Sequence, residues 1–117
     1  VGLLNGMDDQ ELFRASGQGR DVNRHNYTPA EIEQALTQPV VQAIIALARL
    51  RKHNAFNGNF AWAIEGADRL SLGWANGNDS VRLSFATTVG APSFVIEVVT
   101  DGESQVFNTI EGFATFA

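Results

Sequence analysis

The sequence predicts an α+β chain: a helical segment, residues 1–58, followed by a five-stranded, mostly antiparallel β domain, residues 59–117. Two observations support this division. Apolar residues recur at helical spacing between residues 29 and 52, whereas from Asn59 onward they alternate with small or polar residues. With 117 residues, 44% of them hydrophobic and 18% charged, the composition is that of a globular protein.

The first 17 residues predict a strand end, a turn and a short helix. Residues 1–4, VGLL, suit the end of a buried strand, and an Asn-Gly pair follows. Asp8 stands three residues before Glu11, the spacing of a helix N-cap and its partner, so a helix is predicted there with Gly17 as its end. Because the chain opens on this apolar phrase, we interpret it as a piece of a longer protein.

Two further helices are predicted after residue 28. Thr28 suits a helix cap, Pro29 the first helical position, and Glu31 the residue that bonds back to the cap. Pro39 breaks this helix, and a second one is predicted over residues 39–52. The apolar stripe of the second helix is wider than one covered face requires, which predicts cover on two sides; it comprises Val40, Val41, Ile44, Ile45, Leu47 and Ala48.

The β domain is predicted from alternation with a period of two. The alternating apolar residues are Phe60, Trp62 and Ile64; Leu70, Leu72 and Trp74; Val81, Leu83 and Phe85; and Phe94, Ile96 and Val98. Turn-forming sequences separate these runs: Gly66-Ala67, Asn76-Gly77-Asn78, Gly90-Ala91-Pro92 and Asp101-Gly102. A fifth strand is predicted over residues 105–110, with Phe113 and Phe116 extending it or covering an edge. The arrangement expected is an antiparallel sheet, a Greek-key half-barrel or a sandwich-like fold.

The two tryptophans allow two interpretations. Trp62 and Trp74 could form a sugar-stacking platform, but both fall on the alternating apolar face. We therefore expect them in the core.

Charge and composition exclude several classes of function. The net charge of −5 disfavours nucleic acid and anionic membranes as partners, and the one basic group, residues 49–52, suits the end of a helix. His25 and His53 have no carboxylate partners at metal-ligand spacing, so we expect no metal site and no cofactor. The chain has no cysteine, which is compatible with the cytoplasmic location that we expect.

The polar stretch from residue 16 to residue 28, SGQGRDVNRHNYT, is where function is most plausibly sought. By composition it is a loop, and its bland interpretation is a solvated connection. No phosphate loop of the type GxxxxGK[ST], no serine nucleophile elbow and no thiol is present, and the acidic residues near it suit turns and caps. Taken alone, the chain does not hold a complete catalytic set.

Three phrases nevertheless resemble a known family. VGLLNGMDDQELF, GRDVNRHNYT and QPVVQAIIALARLRKHNAFNG are similar to the final part of the sucrose phosphorylase family of the α-amylase superfamily. The family's central phrase reads approximately Gly-Arg-Asp-Ile-Asn-Arg-His-Tyr-Tyr, from which this chain departs at Asn26. The resemblance covers residues 1–58; beyond Asn59 it is one of position and architecture.

This resemblance implies a role for each half of the chain. Residues 1–58 would complete a catalytic (β/α)₈ barrel, and residues 59–117 would form the small β domain appended to it. The implied reaction is phosphorolysis of an α-glucoside with retention, so the implied partners are the glucoside and phosphate. Arg20 would bind the glucosyl ring, with Asp21, Arg24 and His25 supporting its loop, while the catalytic carboxylates lie outside this chain.

Two further expectations follow. A non-catalytic carbohydrate-binding or assembly module is the alternative to a fragment of an enzyme. Whichever holds, the apolar surface around Val41, Ile44 and Ile45 would be uncovered in the isolated chain, and we expect it to self-associate.

Overall fold

The computed structural model describes residues 2–88 and 93–116 and confirms the α+β class. Three helices come first: α1 (Gln10–Ser16), α2 (Pro29–Leu36) and α3 (Pro39–Leu50). The sheet follows: β1 (Asn59–Glu65), β2 (Arg69–Asn76), β3 (Asp79–Ala86), β4 (Ser93–Thr100) and β5 (Glu103–Phe107). A short helix, α4 (Ile110–Phe113), comes last, and two 3-10 turns cover Gly19–Asn23 and Asn54–Asn57.

Helix α1 forms as predicted but begins one residue later. Its N-cap is Asp9, whose Oδ1 accepts the backbone N–H of Leu12 at 2.8 Å, so the expectation that Asp8 caps the helix is wrong. Gly17 ends the helix as predicted. It adopts the left-handed conformation, φ 68°, and its N–H donates to the Phe13 carbonyl.

The two central helices match their sequence patterns. Thr28 Oγ1 accepts the Glu31 N–H while a carboxylate oxygen of Glu31 accepts the Thr28 N–H at 2.7 Å, which is the predicted capping box. Helix α2 ends at Leu36, and α3 starts at Pro39, as the loss of a backbone donor there requires.

The N-terminal apolar phrase does not form a strand among the described residues. Residues 2–5 make a turn, in which the Asn5 N–H donates to the Gly2 carbonyl at 3.2 Å. Leu3 is 61% exposed, so the buried strand end expected here is not observed. A strand needs a partner for its backbone groups, and the described residues provide none at this point; Val1 lies outside them.

The sheet is an antiparallel meander. Its order is β1-β2-β3-β4-β5, each strand pairing with the next in the sequence. The Greek-key alternative is therefore wrong, since that topology needs a long connection back to a distant strand. Turns at Asn76-Gly77-Asn78 and Asp101-Gly102 are confirmed, with φ of 61° at Gly77 and 52° and 87° at Asp101 and Gly102. The turn expected at residues 90–92 lies outside the described residues.

The fifth strand is shorter than predicted. It ends at Phe107, because Thr109 becomes the N-cap of α4 and its Oγ1 accepts the Gly112 N–H at 3.0 Å. Of the two roles considered for the C-terminal phenylalanines, covering is the one observed. Phe113 is 2% exposed and packs edge-on against Phe107, with ring centroids 5.4 Å apart, and it stacks on Phe116 at 5.8 Å.

The hydrophobic core joins α3, α4 and the centre of the sheet. Its buried members are Ala43, Ala46, Leu50, Ala55, Val81, Ile96, Val98 and Phe113. Trp74 is half-buried against this core, 5.0 Å from the Phe56 ring, as expected. Trp62 is 63% exposed, so its predicted core position is wrong. It stands on the edge strand β1, which no second layer covers in the described part of the chain.

The overall shape is extended. The radius of gyration is 17.9 Å, and the principal extents are 53 × 34 × 24 Å. A compact domain of about 100 residues has a radius of gyration of about 13 Å. In residues 2–88 and 93–116, no helix combines the length and the apolar character needed to cross a bilayer.

Candidate functional site

The polar loop between α1 and α2 has a defined backbone. Its first half is the 3-10 turn Gly19–Asn23, closed by bonds from the Asp21 N–H to the Gln18 carbonyl at 2.9 Å and from the Arg24 N–H to the Asp21 carbonyl at 3.0 Å. The Asp9 N–H also donates to the Val22 carbonyl at 2.7 Å. That bond ties the turn to the start of α1.

Arg20 projects from this turn toward solvent. Its side chain is 66% exposed, and its Nε lies 3.8 Å from Asp21 Oδ1, too far for a hydrogen bond. Asp21 is the less exposed partner, at 17%. The guanidinium therefore keeps its donors for other contacts, and a fixed fork of such donors suits hydroxyl and carboxylate oxygens.

Arg24 contributes to the turn through its backbone. It is the C-cap residue that follows the 3-10 turn, and its N–H donates to the Asp21 carbonyl. Its side chain is exposed. The structure thus brings Arg20, Asp21 and Arg24 together on one turn, but only Asp21 is partly shielded.

His25 makes the densest set of polar contacts in the loop. Its Nδ1 lies 2.9 Å from Asp9 Oδ2, and its Nε2 lies 3.2 Å from Glu31 Oε1. Its ring packs edge-on against Tyr27, with centroids 4.7 Å apart. We call the group of Asp9, His25 and Glu31 the histidine clasp.

Each carboxylate of the histidine clasp also caps a helix. Asp9 uses Oδ1 for the Leu12 N–H and Oδ2 for His25. Glu31 uses Oε2 for the Thr28 N–H and hydroxyl, at 2.7 and 2.8 Å, and Oε1 for His25. The imidazole therefore connects the N-termini of α1 and α2 across the loop that carries Arg20.

These contacts shift three pKa values. The hydrogen bond to Asp9, followed by that to Glu31, raises the pKa of His25 above 6.5. The bond from the Leu12 N–H, followed by that from His25, lowers the pKa of Asp9 below 3.8. Bonds from Thr28, and then from His25, lower the pKa of Glu31 below 4.5. The shifts favour an imidazolium between two carboxylates.

An imidazole with two carboxylates is also a familiar metal-ligand set, but here the groups bond to one another. Both ring nitrogens lie at hydrogen-bond distance from carboxylate oxygens, which leaves no room for an ion between them. Among the residues that the structure describes, no group of three or more His, Asp or Glu side chains is arranged to hold a metal. The sequence shows no carboxylate at metal-ligand spacing from His25, but the fold brings Asp9 and Glu31 to it as hydrogen-bond partners.

An open depression lies between the histidine clasp and the N-terminal turn. Asn5, Gly6, His25, Tyr27 and Gln38 are among its lining residues. Tyr27 Oη is buried, and in the described part of the chain it has no hydrogen-bond partner. Arg20 does not line this depression.

The sequence held one indication of the histidine clasp. Glu31 was identified as the capping-box residue, and such a carboxylate has a second oxygen free for another donor. Asp9, 16 positions before His25, could not be assigned, because its contact depends on the path of the whole loop.

The known proteins to which the chain is similar in sequence are phosphorylases. No family model matches the chain. It is 41% identical over 86 residues to the sucrose phosphorylase of Bifidobacterium adolescentis, covering 73% of this chain and 17% of that protein. It is 40% identical over 79 residues to the glucosylglycerol phosphorylase of Marinobacter adhaerens, covering 67% of this chain and 16% of that protein.

A solved structure agrees with the sequence relatives. The sucrose 6F-phosphate phosphorylase from Thermoanaerobacter thermosaccharolyticum superposes with a TM-score of 0.83 at 32% identity, covering 93% of this chain and 22% of that one. The chain thus spans about a fifth of the length of the relatives it matches. Because 93% of the chain is covered, the match extends over most of both the helical segment and the sheet. The chain belongs to the family of the sucrose phosphorylases, of which it represents one segment.

Proposed function

We propose that this chain is the C-terminal part of a retaining α-glucoside phosphorylase and is inactive by itself. In this proposal residues 1–58 complete the catalytic barrel, and residues 59–117 form the appended β domain. The similarity to three phosphorylases, each matched over about a fifth of its length, is the observation on which the proposal rests.

The reaction proposed for the complete protein is transfer of a glucosyl group to phosphate. A carboxylate attacks the anomeric carbon and displaces the alcohol part of the glucoside, which takes a proton from a second carboxylic acid. Phosphate then displaces the carboxylate and leaves as α-glucose 1-phosphate, with net retention. With sucrose as the glucoside, the displaced alcohol is fructose. This proposal places both catalytic carboxyl groups outside the 117 residues.

The shape of the chain supports a role as part of a larger protein. A radius of gyration of 17.9 Å exceeds that of a compact domain of this size. Large apolar side chains are left exposed on several elements: Leu3, Met7, Phe13, Ile32, Leu36, Leu47, Phe60, Trp62, Ile64, Val95, Val106 and Ile110. Such surface is expected where another part of a protein packs. Its exposure also supports our prediction that the isolated segment self-associates.

Arg20 is the residue for which we propose a direct contact with substrate. It is an exposed cation on the 3-10 turn between α1 and α2, and three backbone hydrogen bonds fix that turn. We assign its guanidinium to hydroxyl oxygens of the glucosyl ring and to an acidic residue outside this chain. Asp21, Arg24 and His25 shape the turn around it.

The proposal is tested with the full-length protein that contains this segment. We expect phosphate-dependent release of α-glucose 1-phosphate from sucrose, sucrose 6F-phosphate or glucosylglycerol, and none from the 117-residue chain. Release by the isolated chain would refute the proposal, as would a full-length protein inert toward all three glucosides.

A paired substitution tests Arg20. Arg20→Ala removes charge-assisted hydrogen bonds worth about 1.5–3 kcal/mol, which corresponds to a loss of about 10- to 150-fold in kcat/KM for the glucoside. Arg14→Ala, which removes a cation from the last turn of α1, is the matched control and should leave kcat/KM unchanged. Equal effects of the two variants would contradict a substrate contact by Arg20.

A carbohydrate-binding module is the second candidate, and the exposed Trp62 is the observation that favours it. Sugar-binding tryptophans need polar neighbours for the sugar hydroxyls. Strand register instead surrounds Trp62 with Phe60, Ile64, Leu70 and Leu72 on the same face. We therefore expect no change in tryptophan fluorescence on addition of glucans. A saturable change that Trp62→Ala abolishes would favour the binding module.

A further inference from the structure

The position of the Arg20 turn depends on contacts at both of its ends. One end follows α1, and the other leads into α2. Between the two helix starts the turn makes one backbone bond to Asp9 and otherwise bonds within itself. His25 supplies the remaining connection, through Asp9 on one side and Glu31 on the other.

We propose that His25 is a positioning residue: by bonding the N-cap carboxylate of α1 and the capping-box carboxylate of α2 at the same time, it fixes the turn that presents Arg20 to the glucosyl ring. The inference rests on the proposed function for its last step only. The clasp itself, and its effect on the turn, are properties of this chain.

The geometry indicates the charge state in which His25 can bond to both carboxylates at once. Two carboxylate oxygens accept hydrogen bonds, so both imidazole nitrogens must donate, and only the imidazolium does so. A neutral imidazole would bond one carboxylate and turn a lone pair toward the other. Deprotonation therefore removes one of the two hydrogen bonds by which the imidazole joins the helix starts.

The two carboxylates facing His25 favour the charged form. Asp9 faces it from the start of α1 and Glu31 faces it from α2, while the Tyr27 ring packs at right angles to the imidazole from the loop itself. Asp8, Glu11 and Arg14 line the same depression without bonding to His25. The raised pKa of His25 agrees with this balance.

The sign of the pH effect follows. A histidine whose pKa is raised on folding stabilises the folded loop fully below about pH 6.5, its ordinary value, and the contribution is lost as the pH rises through the raised pKa. Asp9 and Glu31, whose pKa values are lowered, contribute above about pH 4.5, and that contribution is lost as the pH falls through their folded values. The clasp is therefore most complete between about pH 4.5 and 6.5.

The first arm of the test uses the 117-residue chain and does not depend on catalysis. Nitrogen NMR of the imidazole should give His25 a pKa above 6.5, and Asp9→Asn and Glu31→Gln should each lower it. Glu33→Gln, on the same helix, is the matched control and should leave it unchanged. Amide signals of Gly19–Asn23 should shift with the same midpoint. The proposal would be overturned by a His25 pKa at or below 6.5, or by amide signals of Gly19–Asn23 that do not change as His25 titrates.

The second arm uses the full-length protein with saturating phosphate. His25→Gln should raise KM for the glucoside about 10-fold or more at pH 6 and change kcat less, because misplacing a binding group by an ångström carries a cost of that order. The rise in KM of the unaltered protein as the pH passes through the raised pKa of His25 should be absent in the variant. A purely structural role would lower the amount of active protein without this change in pH profile.

The outcomes separate the two proposals. If the unaltered full-length protein shows no phosphorolysis, the proposed function fails, and the NMR arm still decides the clasp. If the protein is active but His25→Gln keeps the same KM and pH profile, the positioning role fails. Should His25→Gln not fold, Glu31→Gln takes its place, since it removes one bond and keeps the histidine; an unchanged KM in that variant would overturn the proposal equally.

Discussion

The Tyr27 hydroxyl lies directly over the Cα of Gly6, in the space that a side chain at that position would occupy. The contact joins the N-terminal turn to the residue that packs against His25. Only glycine allows so close an approach, so the identity of residue 6 is set by packing rather than by its backbone angles. The buried Tyr27 Oη has no hydrogen-bond partner among the described residues, which makes the contact mainly steric.

Gly6→Ala should therefore destabilise the 117-residue chain by about 1–3 kcal/mol, the usual cost of inserting a methyl group into a filled site. Gly2→Ala is the matched control, because nothing lies within 4 Å of a methyl group there. Tyr27→Phe removes the overlapping oxygen and should recover part of the loss in the double variant. Urea denaturation compares the unaltered chain with Gly6→Ala, Gly2→Ala, Tyr27→Phe and the double variant. Additive effects of Gly6→Ala and Tyr27→Phe would contradict the contact.

Asp79 is expected to make the stability of the β domain depend on acid pH. Its Oδ1 accepts the Asp101 N–H at 2.8 Å, and its Oδ2 accepts from Asn54 Nδ2 at 2.8 Å, so it joins the β4–β5 turn to the second 3-10 turn. The bond from Asp101, followed by that from Asn54, lowers the pKa of Asp79 below 3.8. Its contribution is present above about pH 3.8 and is lost as the pH falls through the folded pKa.

Asp79→Asn should lower the Tm at pH 7, and the difference from the unaltered chain should shrink as the pH falls below about 3.8. Asp101→Asn is the control. Residue 101 has φ 52°, a conformation that asparagine tolerates, and its side chain is exposed. Differential scanning fluorimetry over pH 2–7 would give both curves. A constant Tm difference across this range would exclude the titration.

Phe113 should be the most costly aromatic residue to truncate. It is 2% exposed between Phe107 and Phe116, whereas Phe60 on the edge strand is 52% exposed. We expect Phe113→Ala to reduce the free energy of unfolding by about 3–5 kcal/mol, and Phe60→Ala to reduce it by about 1 kcal/mol or less. Chemical denaturation of the two variants gives the comparison. Similar losses would mean that α4 does not seal the core.

Local chemistry explains which features the sequence predicted. The capping box at Thr28 and Glu31, the break at Pro39 and the left-handed Gly17 depend on residues within one helical turn of each other. The strands were predictable for a similar reason, because alternation determines which side chains share a face. Asp8 and Asp9 both suit an N-cap, and only the position of the helix decides between them.

Features that depend on distant residues were not predictable. The contact between His25 and Asp9 requires the loop to return to the start of α1, which no short pattern encodes. Alternation placed Trp62 on the apolar face correctly but could not tell whether a second layer covers that end of the sheet. In the same way, the apolar stripe of α3 predicted that other elements pack on this helix, but it did not predict which of its residues remain exposed. Val41 is fully buried, whereas Leu47 is 48% exposed.

Self-association of the 117-residue chain should depend on strand β1 rather than on the α3 surface around Val41, Ile44 and Ile45 from which it is expected. Val41 is fully buried and the two isoleucines are half-buried, whereas Phe60, Trp62 and Ile64 form an apolar row, 52–67% exposed, on an edge strand. An uncovered edge strand with an apolar face is a favourable surface for pairing with another copy. Trp62→Ser should therefore shift the chain toward monomer in light scattering.

The matched control for this prediction is the other edge of the sheet. Val106 is 62% exposed on β5, but its partner in register is Glu97, so it stands on the polar face. Val106→Ser removes a comparable exposed apolar residue and should leave the molecular mass in solution unchanged. If both substitutions weaken association equally, general surface hydrophobicity is responsible. If neither does, or if the unaltered chain is monomeric, the apolar row of β1 is not an interface between copies, and its cover must come from the rest of the full-length protein.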